Sequence, residues 1–237
     1  MQPAKKPNIR DLSLEEIQQY FEKAGDKKFR ANQVYEWLWQ KHAHSFEAMT
    51  NLSKPLRTRL SEDFILPALI LDASQFSADG TIKSRFKTVE GHLVEGVLIP
   101  TESRQTACVS SQIGCSLSCK FCATGYMDRK RNLHFDEIYD EVVLIHQQAE
   151  KTYQKKLSNI VFMGMGEPLL NYKNVLKAIE RISSPDGLGM SARRITVSTA
   201  GVAKMIRQLG DDEVKFKLAL SLHAANDKKR HEIMPIN

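Results

Sequence analysis

Between residues 13 and 64 the apolar positions recur at helical spacing. Ser13 followed by Glu16 reads as a capping box, and Leu14, Ile17, Tyr20 and Phe21 then fall on one side of a helix. A second helix is predicted over 31–41, with Val34, Trp37 and Leu38 on one side and Trp39 turned away from that stripe. Together these make a small helical bundle with an aromatic core. From residue 69 the period shortens toward two. Residues 69–76, 81–88 and 92–99 read as strands separated by the turn signals Asp79-Gly80 and Glu90-Gly91, which predicts a small antiparallel meander. Glu95 sits on its last strand, where alternation assigns it to neither face.

The rhythm then changes to strand, loop, helix. Residues 105–110 are strand-like, and after a loop rich in cysteine, Phe135, Ile138, Tyr139, Val142 and Val143 form an i, i+3, i+4, i+7, i+8 series. Strands at 159–163, 194–198 and 215–222 alternate with helices at 172–182 and 202–209. Four βα units in succession predict a parallel sheet. Three segments result: a helical accessory domain at 1–65, the meander at 66–104, and an α/β core at 105–237. Ligands of parallel βα architectures bind at the carboxyl ends of the strands. The cysteines, GMGEP from Gly164, STAG from Ser198 and SLH from Ser221 each follow one of the four strands. One rim gathers them all.

Composition narrows this only a little. With 237 residues, 42% of them hydrophobic, the chain suits one large domain or one domain with an accessory module. No apolar run approaches the ~20 residues that span a bilayer. Lys5 and Lys6 have no apolar region behind them, so no signal peptide is read and the cytoplasm is the expected location. A formal charge of +6 permits an anionic partner such as nucleic acid. Arg129, Lys130 and Arg131, next to the cysteine loop, are the local candidates; the plain alternative is a solvated loop.

All the cysteines fall between Cys108 and Cys122. Cys115, Cys119 and Cys122 have the spacing C-x3-C-x2-C, and a cubane of iron and sulfide accepts one thiolate per iron. Three ligands leave one iron open, which is what distinguishes a site for chemistry from one that only holds a fold. A structural zinc would need a fourth ligand, from Cys108 or His134. A disulfide framework suits small secreted domains better than a chain able to bury a large core. Gly164 and Gly166 let a ligand approach the backbone, and Glu167 offers an acceptor to an ammonium group. Ser198 and Ser221 also read as ordinary strand-end hydroxyls, and His223 as a packed histidine.

The three-cysteine spacing with Phe121 before the last thiol resembles the cluster loop of the radical S-adenosylmethionine enzymes. CVSSQIGC from Cys108, CKFCATG from Cys119 and GMGEPLLN from Gly164 together resemble the RNA methyltransferases of that superfamily. The likeness runs from about Glu95 to the end of the chain and is looser over the N-terminal helices. It implies a partial (β/α) barrel of the radical S-adenosylmethionine type, truncated after about four βα units. It implies a 4Fe-4S cluster on Cys115, Cys119 and Cys122, with S-adenosylmethionine at Gly166, Glu167, Ser198, Ser221, Leu222 and His223. The helical domain would contact RNA. The activity implied is methylation of carbon 2 of an adenosine in large-subunit ribosomal RNA and in transfer RNA. An external one-electron reductant, no membrane partner and a monomeric full-length protein go with it.

Carbon 2 of adenine lies between two ring nitrogens and is electron-poor, so displacement from a polar methyl donor does not reach it and a radical route is required. In the enzymes resembled, the methyl group is first parked on a cysteine near the C-terminus. A second cysteine, matched here by Cys108, resolves the protein–RNA adduct by forming a disulfide. Glu95 matches the proton acceptor. With Cys108 and the three cluster cysteines assigned, none remains to carry the methyl group, and the chain ends at 234–237 where the family continues. The resemblance therefore implies a fragment without methyl transfer of its own. Two alternatives stay open: a relative methylating carbon 8 of the same adenosine, and a zinc-stabilised RNA-binding protein without catalysis.

Overall fold

The structure, a computed structural model, describes residues 6–236; Lys5 and the rest of 1–5, and Asn237, lie outside the described residues. The chain divides into two compact units, one of residues through Ala68 with Ser184–Gly189, the other of Leu69–Ser183 with the residues from Met190 on. In the first unit, α1 (Leu14–Lys23) opens with the expected reciprocal cap. The Ser13 hydroxyl accepts from the Glu16 N–H at 3.2 Å and the Glu16 carboxylate accepts from the Ser13 N–H at 2.7 Å. Its Ile17 and Phe21 are buried with Leu56 and Leu60 of α3 (Lys54–Asp63).

Between them, α2 (Phe29–Trp39) reverses the predicted roles of its two tryptophans. The buried stripe is Ala31, Val34, Leu38 and Trp39. It is centred on Ala31 and Leu38, which carries Trp39 inward and leaves Trp37 at its flank. The Arg10 guanidinium lies 5.5 Å from the centroid of the Trp39 ring. Trp37 instead donates from Nε1 to Asn51 at 2.5 Å and lies under the Lys41 ammonium.

In the second unit, the meander strands β1 (Ile70–Phe76), β2 (Ile82–Lys87) and β3 (Leu93–Pro100) form as predicted but not as a separate layer. Val97 of β3 pairs antiparallel with Cys108 of β4 (Gln105–Cys108). A short ribbon of β5 (Gln112–Ile113) and β6 (Arg131–Asn132) follows, then α4 (Phe135–Tyr153). The remaining strands are β7 (Asn159–Phe162), β8 (Ile195–Thr199) and β9 (Lys217–Leu220). Seven strands make one sheet in the order β1-β2-β3-β4-β7-β8-β9, antiparallel as far as β4 and parallel from there on. The sheet is open, with β1 and β9 at its two ends, and does not close into a barrel. Helices α5 (Tyr172–Ser183), α6 (Ala203–Asp211) and α7 (Asp227–Ile233) follow the last three strands.

The meander joins the sheet because one helix covers both parts. Val94, Gly96 and Leu98 of β3 share a buried face with Ala107 of β4, and α4 lies on it. Gly96 is where the helix comes closest. A Cβ there would meet Glu141 Oε1 at 2.6 Å, and Ile145 Cδ1 and Phe86 Cε2 at 2.9 Å. On the opposite face, Cys108, Val161 and Thr196 stand side by side and are only half-buried.

Gly96→Ala should cost about 1–3 kcal/mol through overpacking, read as a lowered denaturant midpoint; an unchanged midpoint would show that α4 yields without strain. Glu141 carries a pH signature. It is fully buried, its two oxygens accept from the Ser110 N–H at 3.1 and 3.2 Å, and burial holds its carboxyl well above the ordinary value of 4.5. The folded chain thus keeps this proton to higher pH than the unfolded chain. The associated stability is complete below the ordinary value and is lost as pH rises through the folded value. Glu141→Gln keeps an acceptor for Ser110 and removes the titration. Its stability in urea should exceed the parent's increasingly toward alkaline pH; parallel curves from pH 5 to 9 would contradict a protonated Glu141.

Candidate active site

The cysteine loop is pinned at its base by the β5–β6 ribbon and folded by its own short turns. The Cys119 N–H donates to the Leu117 carbonyl at 2.8 Å, Cys122 N–H to Cys119 at 3.1 Å, and Gly125 N–H to Cys122 at 2.9 Å. These turns set Cys115, Cys119 and Cys122 along one wall of a cavity of about 250 Å³. Gly166, Glu167, Ser198 and Ser221 line the same cavity. The rim expected from the βα pattern therefore exists.

Each facing residue is held by a visible cause. Gly166 has φ of +93°, and a Cβ there would lie 2.5 Å from Cβ of Gln112, so only glycine fits this crossing. Glu167 is buried and joins two loops: Oε2 accepts from the Ala200 N–H at 2.7 Å and Oε1 from the Leu169 N–H at 3.0 Å. Burial raises its carboxyl above the ordinary range while those N–H groups and Thr199 oppose the rise. A carboxylate offers about four lone-pair sites, so acceptor capacity remains toward the cavity. The Ser198 and Ser221 hydroxyls meet at 3.2 Å across adjacent strand ends.

Other sequence candidates stand at the margin. Leu222 and His223 do not line the cavity; His223, at φ of +58°, lays its ring 3.9 Å from that of Phe121, which does. Cys108 is one step removed. Its sulfur accepts from the Met163 N–H, and Met163 lines the cavity. Burial, reinforced by the charge of Glu141, pushes this thiol up to about 11. Glu95 lies on the same sheet face, paired with Lys83 at 2.8 Å, and is not part of the cavity.

All four cysteines are free, and the disulfide implied for Cys108 pairs it with a methyl-carrying cysteine that is not among them. Two expectations need correction. The fourth ligand of a zinc site is not at hand: neither Cys108 nor His134 lines the cavity, and His134 sits at the start of α4 with Nδ1 2.7 Å from Asp136. Within the basic run Arg129 and Lys130 are exposed, but Arg131 is not free. Arg131 holds Glu137 through two bonds at 2.6 and 2.8 Å and Glu90 through a third at 2.6 Å, which raises its proton affinity further and makes it a strut.

Sequence reasoning missed the brace behind the cysteines. Met234 lines the cavity and packs on Cys119 and Ala200, and the Ile233 carbonyl accepts from the Lys120 N–H at 2.9 Å. Arg230, buried on α7, donates to the carbonyls of Ala200 at 2.5 Å, Leu222 at 3.2 Å and Ser221 at 3.4 Å. Isoleucine and methionine directly after a short charged helix were the available signal for the first. Nothing in the local sequence marks an arginine as buried.

The donor set fits an iron–sulfur cluster. Such a cluster takes one thiolate per iron, and three thiols, Cys115, Cys119 and Cys122, line this one cavity. Polar groups facing them leave room for a ligand on the fourth corner.

Comparisons with known proteins agree with the geometry. Residues 109–237 match the Radical SAM superfamily, and residues 7–66 match the ribosomal RNA large subunit methyltransferase N-terminal domain, RlmN_N. The chain is 63% identical over 98% of its length to a "Probable dual-specificity RNA methyltransferase RlmN" of Cytophaga hutchinsonii, of which it spans 64%. It is 45% identical to the "Dual-specificity RNA methyltransferase RlmN 2" of Myxococcus xanthus, covering 99% of this chain and 63% of that one. The chain thus spans just under two thirds of the curated relatives it matches. A crystal structure of a radical SAM methyltransferase from Sphaerobacter thermophilus superposes with a TM-score of 0.88 at 39% identity, over 98% of this chain and 68% of that one. Cluster wall, facing loops and both matched segments coincide: the chain belongs to the Radical SAM superfamily, in its methyltransferase branch with an RlmN-type N-terminal domain.

Proposed function

We propose that this chain is the cluster- and cofactor-binding part of a radical S-adenosylmethionine methyltransferase acting on carbon 2 of adenosine in ribosomal and transfer RNA. The observation that carries it is that Cys115, Cys119 and Cys122 share one cavity with Gly166, Glu167, Ser198 and Ser221. The RlmN names of its relatives favour carbon 2 over carbon 8. The helical unit, which contains the RlmN_N match, would bear on RNA. The protein would work in the cytoplasm as a monomer supplied by an external one-electron reductant. Among the described residues no helix is long and apolar enough to cross a membrane.

In this reading Cys115, Cys119 and Cys122 hold a 4Fe-4S cluster. Bound there, cluster and S-adenosylmethionine supply the one-electron chemistry that an electron-poor carbon demands. The chain's own residues bind and orient. Glu167 accepts a hydrogen bond from the cofactor's ammonium, the Ser198 and Ser221 hydroxyls bond its polar groups, and the absent side chain at Gly166 lets it lie against backbone. The Phe121–His223 pair and Leu222 shield the mouth from water. Cys108 waits as a protonated thiol on the strand beside the cavity, and Glu95 is the proton acceptor.

Anaerobic reconstitution with iron and sulfide tests the assignment. Single alanine variants of Cys115, Cys119 and Cys122 should lose the cluster's visible absorption and iron, whereas Cys108→Ala should keep both. Equal loss in all four would sink it. Reconstituted parent, given S-adenosylmethionine and a reductant, should release 5′-deoxyadenosine; none in a protein of full iron content would count against the cofactor site. In a variant lacking the three cluster cysteines, alkylation of Cys108 by iodoacetamide should rise with pH along a curve centred near 11. A midpoint near ~8.5, the value of a free thiol, would mean that Cys108 is not held in the buried site described.

A further inference from the structure

We propose that the open face of β2, which carries Lys83, Arg85 and Lys87, seats the phosphodiester backbone of a single-stranded or looped RNA beside the cavity. This rests on the RNA reading above. The strand alternates strictly: Ile82, Ser84 and Phe86 are buried on the side of α4, and the three cations are exposed on the other. The pairing register fixes which side that is. Lys83 lies opposite Val97, and Val97 lies opposite Cys108, so Lys83 and Cys108 share a row on the face away from α4. They are two strand spacings apart, on the order of 10 Å. That separation is comparable with the reach from the edge of a base to its own phosphate.

The face is shaped as well as charged. Gln75, Lys83, Arg85 and Glu95 line a groove of about 160 Å³. Two of the cations are held in exchangeable pairs: Lys83 to Glu95 at 2.8 Å, and Arg85 to Asp72 at 2.5 Å. Half-exposed pairs of this kind are worth little, so a phosphate that takes over a cation replaces one weak ion pair with another. Arg85 offers a planar fork for bidentate contact, and Lys83 and Lys87 offer point charges. Among the described residues Lys87 makes no ion pair and is free to meet a phosphate directly. Of the basic residues after the cysteines, Arg131 is less available, since it is committed to Glu137 and Glu90.

The occupant is RNA with an unstacked base, because a base inside a continuous duplex cannot reach a cavity behind a sheet edge. A phosphate on Lys83 also detaches the Glu95 carboxylate from its partner. Docking of the backbone and release of the proposed proton acceptor then become one event.

Fluorescence anisotropy with a hairpin RNA bearing an unpaired loop adenine, titrated against salt, tests this on the whole chain. Lys87→Gln, which breaks no ion pair, should weaken binding severalfold, and the triple Lys83→Gln, Arg85→Gln, Lys87→Gln variant should lower the salt slope by about 2, at about 0.7 per lost phosphate contact. Lys151→Gln, at the exposed end of α4, should change neither. RNA bound by the triple variant with the parent's affinity and slope overturns the proposal while leaving the RNA reading intact. RNA not bound by the parent at all overturns both. Displacement of the RNA by polyglutamate at equal charge concentration assigns the face to acidic protein segments instead and also overturns it.

Discussion

The backbone of Met165 is gripped from both sides, and the site depends on that grip. Its carbonyl accepts from the N–H groups of Ser111 and Gln112, and its N–H donates to the Ser110 hydroxyl, which in turn donates to the Glu95 carbonyl. The start of the cysteine loop, the glycine-rich loop after β7 and the last meander strand therefore meet at one point. Behind them Glu141 closes the network on Ser110 from within the core. A buried polar network of this sort rigidifies only when every member is satisfied, and here each is. Asn171 extends it by donating to the carbonyls of Ser111 and Leu133, which ties the end of GEPLLN back to the root of the cysteine loop.

This arrangement explains why the motif residues differ so much in how firmly they are placed. Glu167 and Gly166 lie beside the network: the Glu167 N–H donates to the Gln112 side chain, its carboxylate accepts from the Ala200 N–H, and Gly166 lies against Gln112. Leu222 and His223 lie on the last strand's exit, where β9 is half open to solvent and neighbours only β8. Arg230 compensates by drawing the carbonyls of two loops onto one guanidinium. A planar cation with several donors suits that task, since one guanidinium satisfies carbonyls of both loops at once.

Much of this was legible in the sequence where period and chemistry coincide. Alternation located β1 to β3, the apolar series from Phe135 located α4, and the βα rhythm brought the cysteines, Glu167, Ser198 and Ser221 to one rim. What failed were quantities decided by neighbours distant in the chain. Trp39 rather than Trp37 is buried because the stripe's centre is set by what packs on it, not by the helix alone. Arg131 looked like a ligand for phosphate because its partners, Glu90 and Glu137, come together only in the fold. The meander looked separate because nothing in it announces that Gly96 admits the same helix as Ala107. Cys108 has no pattern that tells a half-buried strand thiol from a metal ligand.

The bond from Lys120 to Ile233, with Met234 packed on Cys119, bears on how the molecule is made. The cysteines leave the ribosome early, but the residues that brace their loop are synthesised only after four further strands, β6 to β9. Until then the loop has its local turns and the Met165 anchor at most, with one wall missing. Closing so long a stretch of chain costs entropy that local contacts do not repay, so the final shape of this wall is reached late. This wall of the cavity is thus finished only after the strands that form its far side, β7, β8 and β9, have been made.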